Sequence, residues 1–254
     1  MSARPALPFS GPSRPPYDAF NVGNHVDDDP SDVARHRQDL ATALNASIVW
    51  MRQVHGHRAL RLTHQDLAQW VGGPGTNEPE ADGALTTEPG LVCAVMVADC
   101  LPVLLAAPEG RGVAALHAGW RGLAGAGDSM KGRGIVDTGV AALCEAASCD
   151  PADLQAWLGP CIGPTAFEVG ADVLQGFGVD PAQTHPRFVA QTSRQRWWAD
   201  LPGLATDRLR SLGVSRIEGG QWCTVSQPSR FFSFRRDGVT GRQVACIWLE
   251  GGGV

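Results

Sequence analysis

Residues 91–122 read LVCAVMVADCLPVLLAAPEGRGVAALHAGWRG, and this stretch decides the fold. It carries three apolar runs, Leu91–Ala98, Pro102–Ala107 and Val113–His117. Turn-forming residues close them: Asp99-Cys100 after the first, Pro108-Glu109-Gly110 after the second, and Gly119 after the third. Apolar runs of roughly four to eight residues between turns fit the strands of a buried sheet.

Upstream, Asp32–Leu44 predicts a helix capped by Ser31 or Asp32, with Val33, Leu40 and Leu44 near one face. Ile48–Met51 reads as a short strand running into Gln53-Val54-His55-Gly56. Asp66–Glu80 is rich in Gly and Pro and predicts an irregular loop, and Asp82–Thr86 predicts a strand. Downstream, Gly119–Gly134 reads as a loop and Ile135–Ala147 as a helix. Leu154–Leu158 predicts a strand, Ala171–Phe177 a short helix, and Leu201–Leu212 a helix that buries Leu204 and Leu209. A strand region starts at Ile217, and Arg230–Phe234 with Gln243–Leu249 reads as a terminal β-hairpin. No linker divides the chain, so an α+β fold in a single domain over residues 17–254 is expected. Met1–Pro16, rich in Pro, Ser and Ala, reads as a poorly ordered arm.

Composition narrows the function classes. Hydrophobic residues make up 43% of the 254 and charged residues 19%, which supports a core and argues against disorder. Net charge is -5, Lys131 is the one lysine, and no basic block stands out. No nucleic-acid partner is expected, although single arginines suit a small anion. No apolar stretch reaches the ~18 residues of a membrane helix, so no membrane partner is expected. The N-terminus lacks the apolar run of a secretory leader, and a cytoplasmic location is expected. The seven cysteines form no C-x-x-C pair, and a disulfide framework is not expected. Most of the thiols read as small buried hydrophobes.

Ligand-type residues follow the strands at three places: His55 in QVHG, Cys100 after Asp99, and His117 in HAGWRG. Two imidazoles and a thiolate form a first shell for Zn²⁺, and three protein ligands with one open position is the catalytic pattern. Gly56 and Gly119 let backbone or substrate come close. A competing reading makes Cys100 a nucleophile and His117 its base. Asp99 suits proton transfer or the orientation of a ligand. Arg121 and the Arg235-Arg236-Asp237 turn suit an anion, and Asn21-Val22-Gly23-Asn24-His25 reads as a polar turn. His25, His36, His57, His64 and His185 read as solvated. Trp50, Trp70, Trp157, Trp197 and Trp198 read as core or contact surface, the last pair being the better placed to meet a partner. No G-x-S-x-G element is present, which removes the Ser/His/Asp hydrolases.

Eight segments in order are NVGNHVDDDP (21–30), RQVHG (52–56), EADGALTTEPG (80–90), VADCLPVLLA (97–106), LHAGWRGLAGAG (116–127), LGPCIGPTAFEVG (158–170), WCT (222–224) and FFSFRRDGVTGRQVACIWL (231–249). Together they resemble the laccase-domain family, also called the polyphenol oxidase or peptidoglycan editing factor family. The resemblance implies one zinc held by His55, Cys100 and His117, with copper as the alternative metal. It implies a layered α/β/β/α arrangement with mixed sheets. Thr165, Phe167 and Phe234 stand where the family often has Cys, Tyr, and Tyr or His.

The implied activity is phosphorolysis of adenosine, inosine, guanosine and methylthioadenosine, with adenosine deamination, by a monomer or homodimer. Asp99 is then expected to handle protons, Cys100 to serve in catalysis as well as ligation, and Arg236, then Arg121, to clamp phosphate. Asn21 and Glu168 are expected to bind sugar or base. Two alternatives are a hydrolase removing misincorporated L-Ser from a peptidoglycan precursor, and a copper-dependent phenol oxidase or metal-binding partner protein.

Overall fold

The computed structural model of the chain describes residues 11–18, 20–70, 78–127, 129–191 and 195–251. Residues 1–10 of the expected arm lie outside them; within the arm, the Ser13 hydroxyl donates to Asp28 at 2.7 Å.

The first helix, α1 (Pro30–Leu44), starts two residues before the expected Asp32. Asp29 is its cap, accepting the Ser31 N–H at 2.8 Å, and Pro30 fills the first turn, where no N–H is needed. Val33, His36 and Leu40 form its buried face. His36, expected to be solvated, is fully buried, and its Nδ1 meets the Asn21 carbonyl at 2.7 Å.

The next elements are β1 (Ser47–Ile48), β2 (Ala59–Arg61), β3 (Gly83–Thr86), β4 (Leu91–Val97), β5 (Leu101–Ala106) and β6 (Val113–Ala118). The 91–122 stretch therefore supplies three strands, as read. A helical turn, α2 (Leu67–Trp70), corrects the start of the expected 66–80 loop, whose residues 71–77 lie outside the described ones. A second correction is α3 (Trp120–Ala124), capped at its C-terminus by Gly125 at φ 65°, inside the segment read as loop. Then come α4 (Ile135–Ala147) and β7 (Gln155–Leu158). After these, β8 (Glu168–Val169), α5 (Ala171–Gly176), β9 (Phe188–Ala190), β10 (Trp197–Ala199), α6 (Leu201–Ser211) and β11 (Arg216–Gly219) follow. The chain closes with α7 (Phe234–Asp237) and β12 (Gln243–Trp248).

The terminal hairpin does not form. Ser233 accepts the Arg236 N–H and caps α7, while β12 runs antiparallel to β4 with Gln243 opposite Val97 and Trp248 opposite Val92. The Gln243 side chain links the two segments instead, accepting the Phe232 N–H at 2.8 Å. Pairing with the wholly buried β4 makes β12 an edge of the smaller sheet, half-buried along its whole length.

Two mixed sheets stack face to face. The smaller has the order β1-β4-β12, the larger β11-β7-β5-β6-β3-β2. Strand alternation sorts the layers. Val92 and Ala94 of β4 join Leu40 of α1 on the outside, whereas Leu91, Cys93 and Val95 meet Ala84, Val113 and Ala115 between the sheets. On the far face of the larger sheet, Leu85, Ala114 and Leu116 pack against Ile135, Val136, Val140 and Leu143 of α4 and Leu204 and Leu209 of α6. Helix, sheet, sheet, helix is the order that results. Gly139 lets α4 come down on β6: a Cβ there would sit 2.5 Å from Leu116 Cδ2. A third, small antiparallel sheet, β8-β10-β9, buries Trp197 and leaves Trp198 half-buried.

Candidate metal centre

His55 sits in the turn between β1 and β2, at a left-handed φ of 59°. The amides of Val54, His55 and Gly56 all donate to the Asp82 carboxylate, at 3.2, 2.8 and 2.7 Å. A curl of successive N–H groups around an anion is a nest, and its hydrogen bonds offset the strain of the turn. Asp82 lies immediately before β3 and is fully buried. Its carbonyl accepts the His117 N–H at 2.7 Å, and its Oδ1 meets His117 Nδ1 at 2.9 Å. One residue thus fixes both the turn that bears His55 and the ring of His117. Sequence reasoning missed it; the signal was an acid flanked by Ala81 and Gly83 at the head of an apolar strand.

Cys100 stands where the chain leaves β4 in one sheet and enters β5 in the other, directly after Asp99 at φ 94°. Its Sγ is 3.6 Å from His55 Nε2. His117 lies within β6, one residue before its end, paired with Pro102. The His55 and His117 rings meet edge-on, 4.8 Å between centroids. The three ligand atoms all lie within 4.8 Å of one another; His117 is buried, Cys100 half-buried and His55 exposed. Gly119 allows this closeness, since a Cβ there would be 2.7 Å from His55 Cδ2 and 3.0 Å from Cys100 Sγ.

The electrostatics suit a metal. Burial alone would raise the Cys100 thiol, but the charge and hydrogen bonds of His117, then of His55, bring it down to about 6. Burial alone would lower His117, but the Cys100 charge and the Asp82 hydrogen bond raise it to about 9. Burial opposes ionisation of Asp82 too, but the hydrogen bond and charge of His117, together with the Gly56 and Val54 amides, lower its pKa below the ordinary carboxylate value. With Nδ1 held by a carboxylate, His117 Nε2 is left to point at the cation, the usual outer-shell support of a ligating histidine. Two nitrogens and one sulfur fit zinc with an open fourth position.

The remaining expected site residues are placed as follows. Asp99 accepts the Thr224 hydroxyl on Oδ1 and the Arg235 N–H on Oδ2, the latter at 2.6 Å. Arg236 uses all five donors internally, on the Thr224, Val225 and Phe231 carbonyls and on both Asp237 oxygens. Asn21 is spent as well: Oδ1 accepts from Gly23 and Arg242 amides, and Nδ2 donates to Gly23 and Asp28. The Glu168 side chain accepts from Gln191, and its carbonyl accepts from Arg235. Arg121 is exposed, its guanidinium 4.4 Å over the Trp120 ring.

Among the described residues no helix is long and apolar enough to cross a membrane. The sequence matches, over residues 9–250, the family described as multi-copper polyphenol oxidoreductase laccase. It is 41% identical to the purine nucleoside phosphorylase YfiH of Escherichia coli, over 95% of this chain and 90% of that one. The purine nucleoside phosphorylase PA4543 of Pseudomonas aeruginosa is 38% identical, over 94% and 90%. Among solved structures, YlmD of Geobacillus stearothermophilus superposes with a TM-score of 0.83 at 32% identity, covering 96% of this chain and 90% of that one. The Neisseria meningitidis protein NMB0706 gives 0.81 at 37%, covering 95% and 90%. The His-Cys-His group is therefore set in a chain that, from end to end of its described fold, belongs to the multi-copper polyphenol oxidoreductase laccase family.

Proposed function

We propose that the chain is a zinc-dependent purine nucleoside phosphorylase, with adenosine deamination as a second activity of the same site. The observation that carries the reading is the His55, Cys100 and His117 group, open to solvent on the His55 side, in a chain 41% identical to a protein named for phosphorolysis. Among the described residues one such group is present, which leaves multi-copper electron transfer without a further centre. That favours nucleoside chemistry over phenol oxidation.

Phosphorolysis breaks the C1′–N9 bond and joins a phosphate oxygen to C1′, through positive charge at the sugar, by analogy with glycoside cleavage. Held by His55, Cys100 and His117, zinc would supply a Lewis-acidic centre with one open position. The chain's own residues do the rest. Asp82 keeps His117 in one tautomer and the 54–56 turn in place. Asp99, with both oxygens engaged, acts by fixing the turn that presents Cys100. Phe234, 58% exposed and 5.9 Å from the Arg242 guanidinium, offers a flat apolar face to a purine.

The zinc-loaded chain incubated with adenosine is expected to give adenine and ribose 1-phosphate only when phosphate is present, and inosine with or without it. His117→Ala is expected to lose bound zinc and both products. Turnover by the metal-free variant would sink the zinc reading. Absence of any product from the wild type would favour the alternative hydrolase, tested by serine release from a muramyl-peptide precursor.

A further inference from the structure

Phosphorolysis needs a seat for the second substrate, and this inference rests on that reading. Phosphate carries nearly two charges and binds where donors have nothing else to hold. Arg236 does not qualify, because each of its donors already has an internal acceptor. Arg242 does. Its stem packs on Gly23, where an added Cβ would be 2.7 Å from Arg242 Cγ. Its amide is held by Asn21 Oδ1 at 2.8 Å, and Nη1 donates to the Thr240 and Gly241 carbonyls at 3.1 and 3.0 Å. Nε and Nη2 make no hydrogen bond among the described residues. The backbone, the stem and one guanidinium nitrogen are thus fixed, while the Nε–Nη2 edge of the guanidinium stays unspent.

The β12–β4 register, Gln243 opposite Val97, sets Arg242 at the end of β4 from which the chain passes to Asp99 and Cys100, and its guanidinium interacts electrostatically with Cys100, Asp99 and Tyr17. His25 is in range of both Arg242 and His117. Neither the His25 ring nor the Tyr17 hydroxyl makes a hydrogen bond among the described residues, and Tyr17 is the one tyrosine of the chain. Three of the nearby acids are occupied. Asp28 accepts from Ser13, Asn21 and the Asp29 amide, Glu78 from Asn24 and Arg37, and Asp99 from Thr224 and Arg235. We infer that Arg242, with His25 and Tyr17 in electrostatic range, is the seat of the phosphate co-substrate beside the metal centre. Asn21 then serves the site indirectly, by anchoring the Arg242 backbone.

The test combines phosphate kinetics of the zinc-loaded chain at saturating adenosine with direct binding of inorganic phosphate by calorimetry. Arg242→Gln is expected to raise the phosphate KM at least about tenfold, or ~1.4 kcal/mol, and to weaken phosphate binding by a similar factor. The adenosine KM should stay within about twofold, and Arg242→Lys should recover part of the loss, since it restores charge without the planar fork. A folded Arg242→Gln with unchanged phosphate KM and affinity overturns the assignment and leaves the phosphorylase reading standing. Phosphate binding that depends on Arg242, without any ribose 1-phosphate, overturns the phosphorylase reading and leaves the anion seat standing. If Arg242→Gln fails to fold, the Tyr17→Phe, His25→Gln pair is read on the same two scales, with unchanged phosphate affinity again overturning the assignment.

Discussion

Asp82 accepts from four groups at once, three amides of the 54–56 turn and the His117 ring, and its carbonyl takes a fifth N–H. Asp82→Asn keeps the shape but removes the charge and replaces an acceptor by a donor facing those N–H groups. Loss of such outer-shell support costs about 10- to 100-fold in metal affinity. A zinc competition titration against a chromophoric chelator should show that loss; affinity within twofold of wild type would mean that the turn holds itself. His55, Cys100 and His117 were candidates because ligand types stand at the ends of apolar runs, and the family resemblance singled them out as one set. Asp82 was not, because nothing local reveals that a strand-leading acid will collect donors from residues 26 to 35 positions away. Asn21 and Arg236 show the converse. Their types suggested binding, but whether a side chain still has a donor to give depends on neighbours such as Arg242 and Asp237, which only the fold supplies.

At the scale of elements, the strands of 91–122 were readable because each is apolar along its whole length, so no alternation had to be resolved. The expected terminal hairpin failed at partner choice. Gln243–Trp248 is a strand, as read, but it pairs with β4, about 150 residues earlier in the register Gln243–Val97, and no local pattern announces that. The two- and three-residue strands β8, β9 and β10 are too short to carry a period. Packing between β6 and α4 gives a direct test. Leu116 is fully buried, and its methyls lie where a Gly139 Cβ would be. Leu116→Ala should cost about 2–5 kcal/mol, read as a lower urea midpoint with an unchanged slope. A cost under about 1 kcal/mol would show that α4 settles into the space.

At the scale of the molecule, the four layers bury or half-bury most of the long apolar residues among the described ones, and charged groups pair at the surface. Arg187 is one: it pairs with Asp200 at 2.9 Å and grips Asp207 with two hydrogen bonds, of 2.7 and 2.8 Å, joining the segment before β9 to α6. Those hydrogen bonds lower the Asp207 pKa from the ordinary 3.8, against a smaller opposing effect of burial. A carboxyl lowered in the folded state adds stability above its unfolded value and loses it as pH falls through the folded one. Asp207 is half-exposed, so solvent screening holds the gain to about 0.5–1 kcal/mol. Urea midpoints of Asp207→Asn should lie below wild type at pH 7 and converge with it as pH falls below the ordinary carboxylate range; a gap that persists in acid would place the effect in packing. The layered order itself was implied by family resemblance, while alternation along β4 and β6 explains it physically. The crossing between the two sheets at Cys100 has one more consequence. His55 follows the smaller sheet's first strand, His117 lies within the larger sheet, and 45 residues separate His55 from Cys100. An ion shared by all three would tie a knot in the chain's connectivity, removing loop-closure entropy from the unfolded ensemble as a covalent bridge does. Assembly and loading would then be two faces of one equilibrium, and a cavity opened anywhere between the sheets would be felt as a weaker hold on the ion.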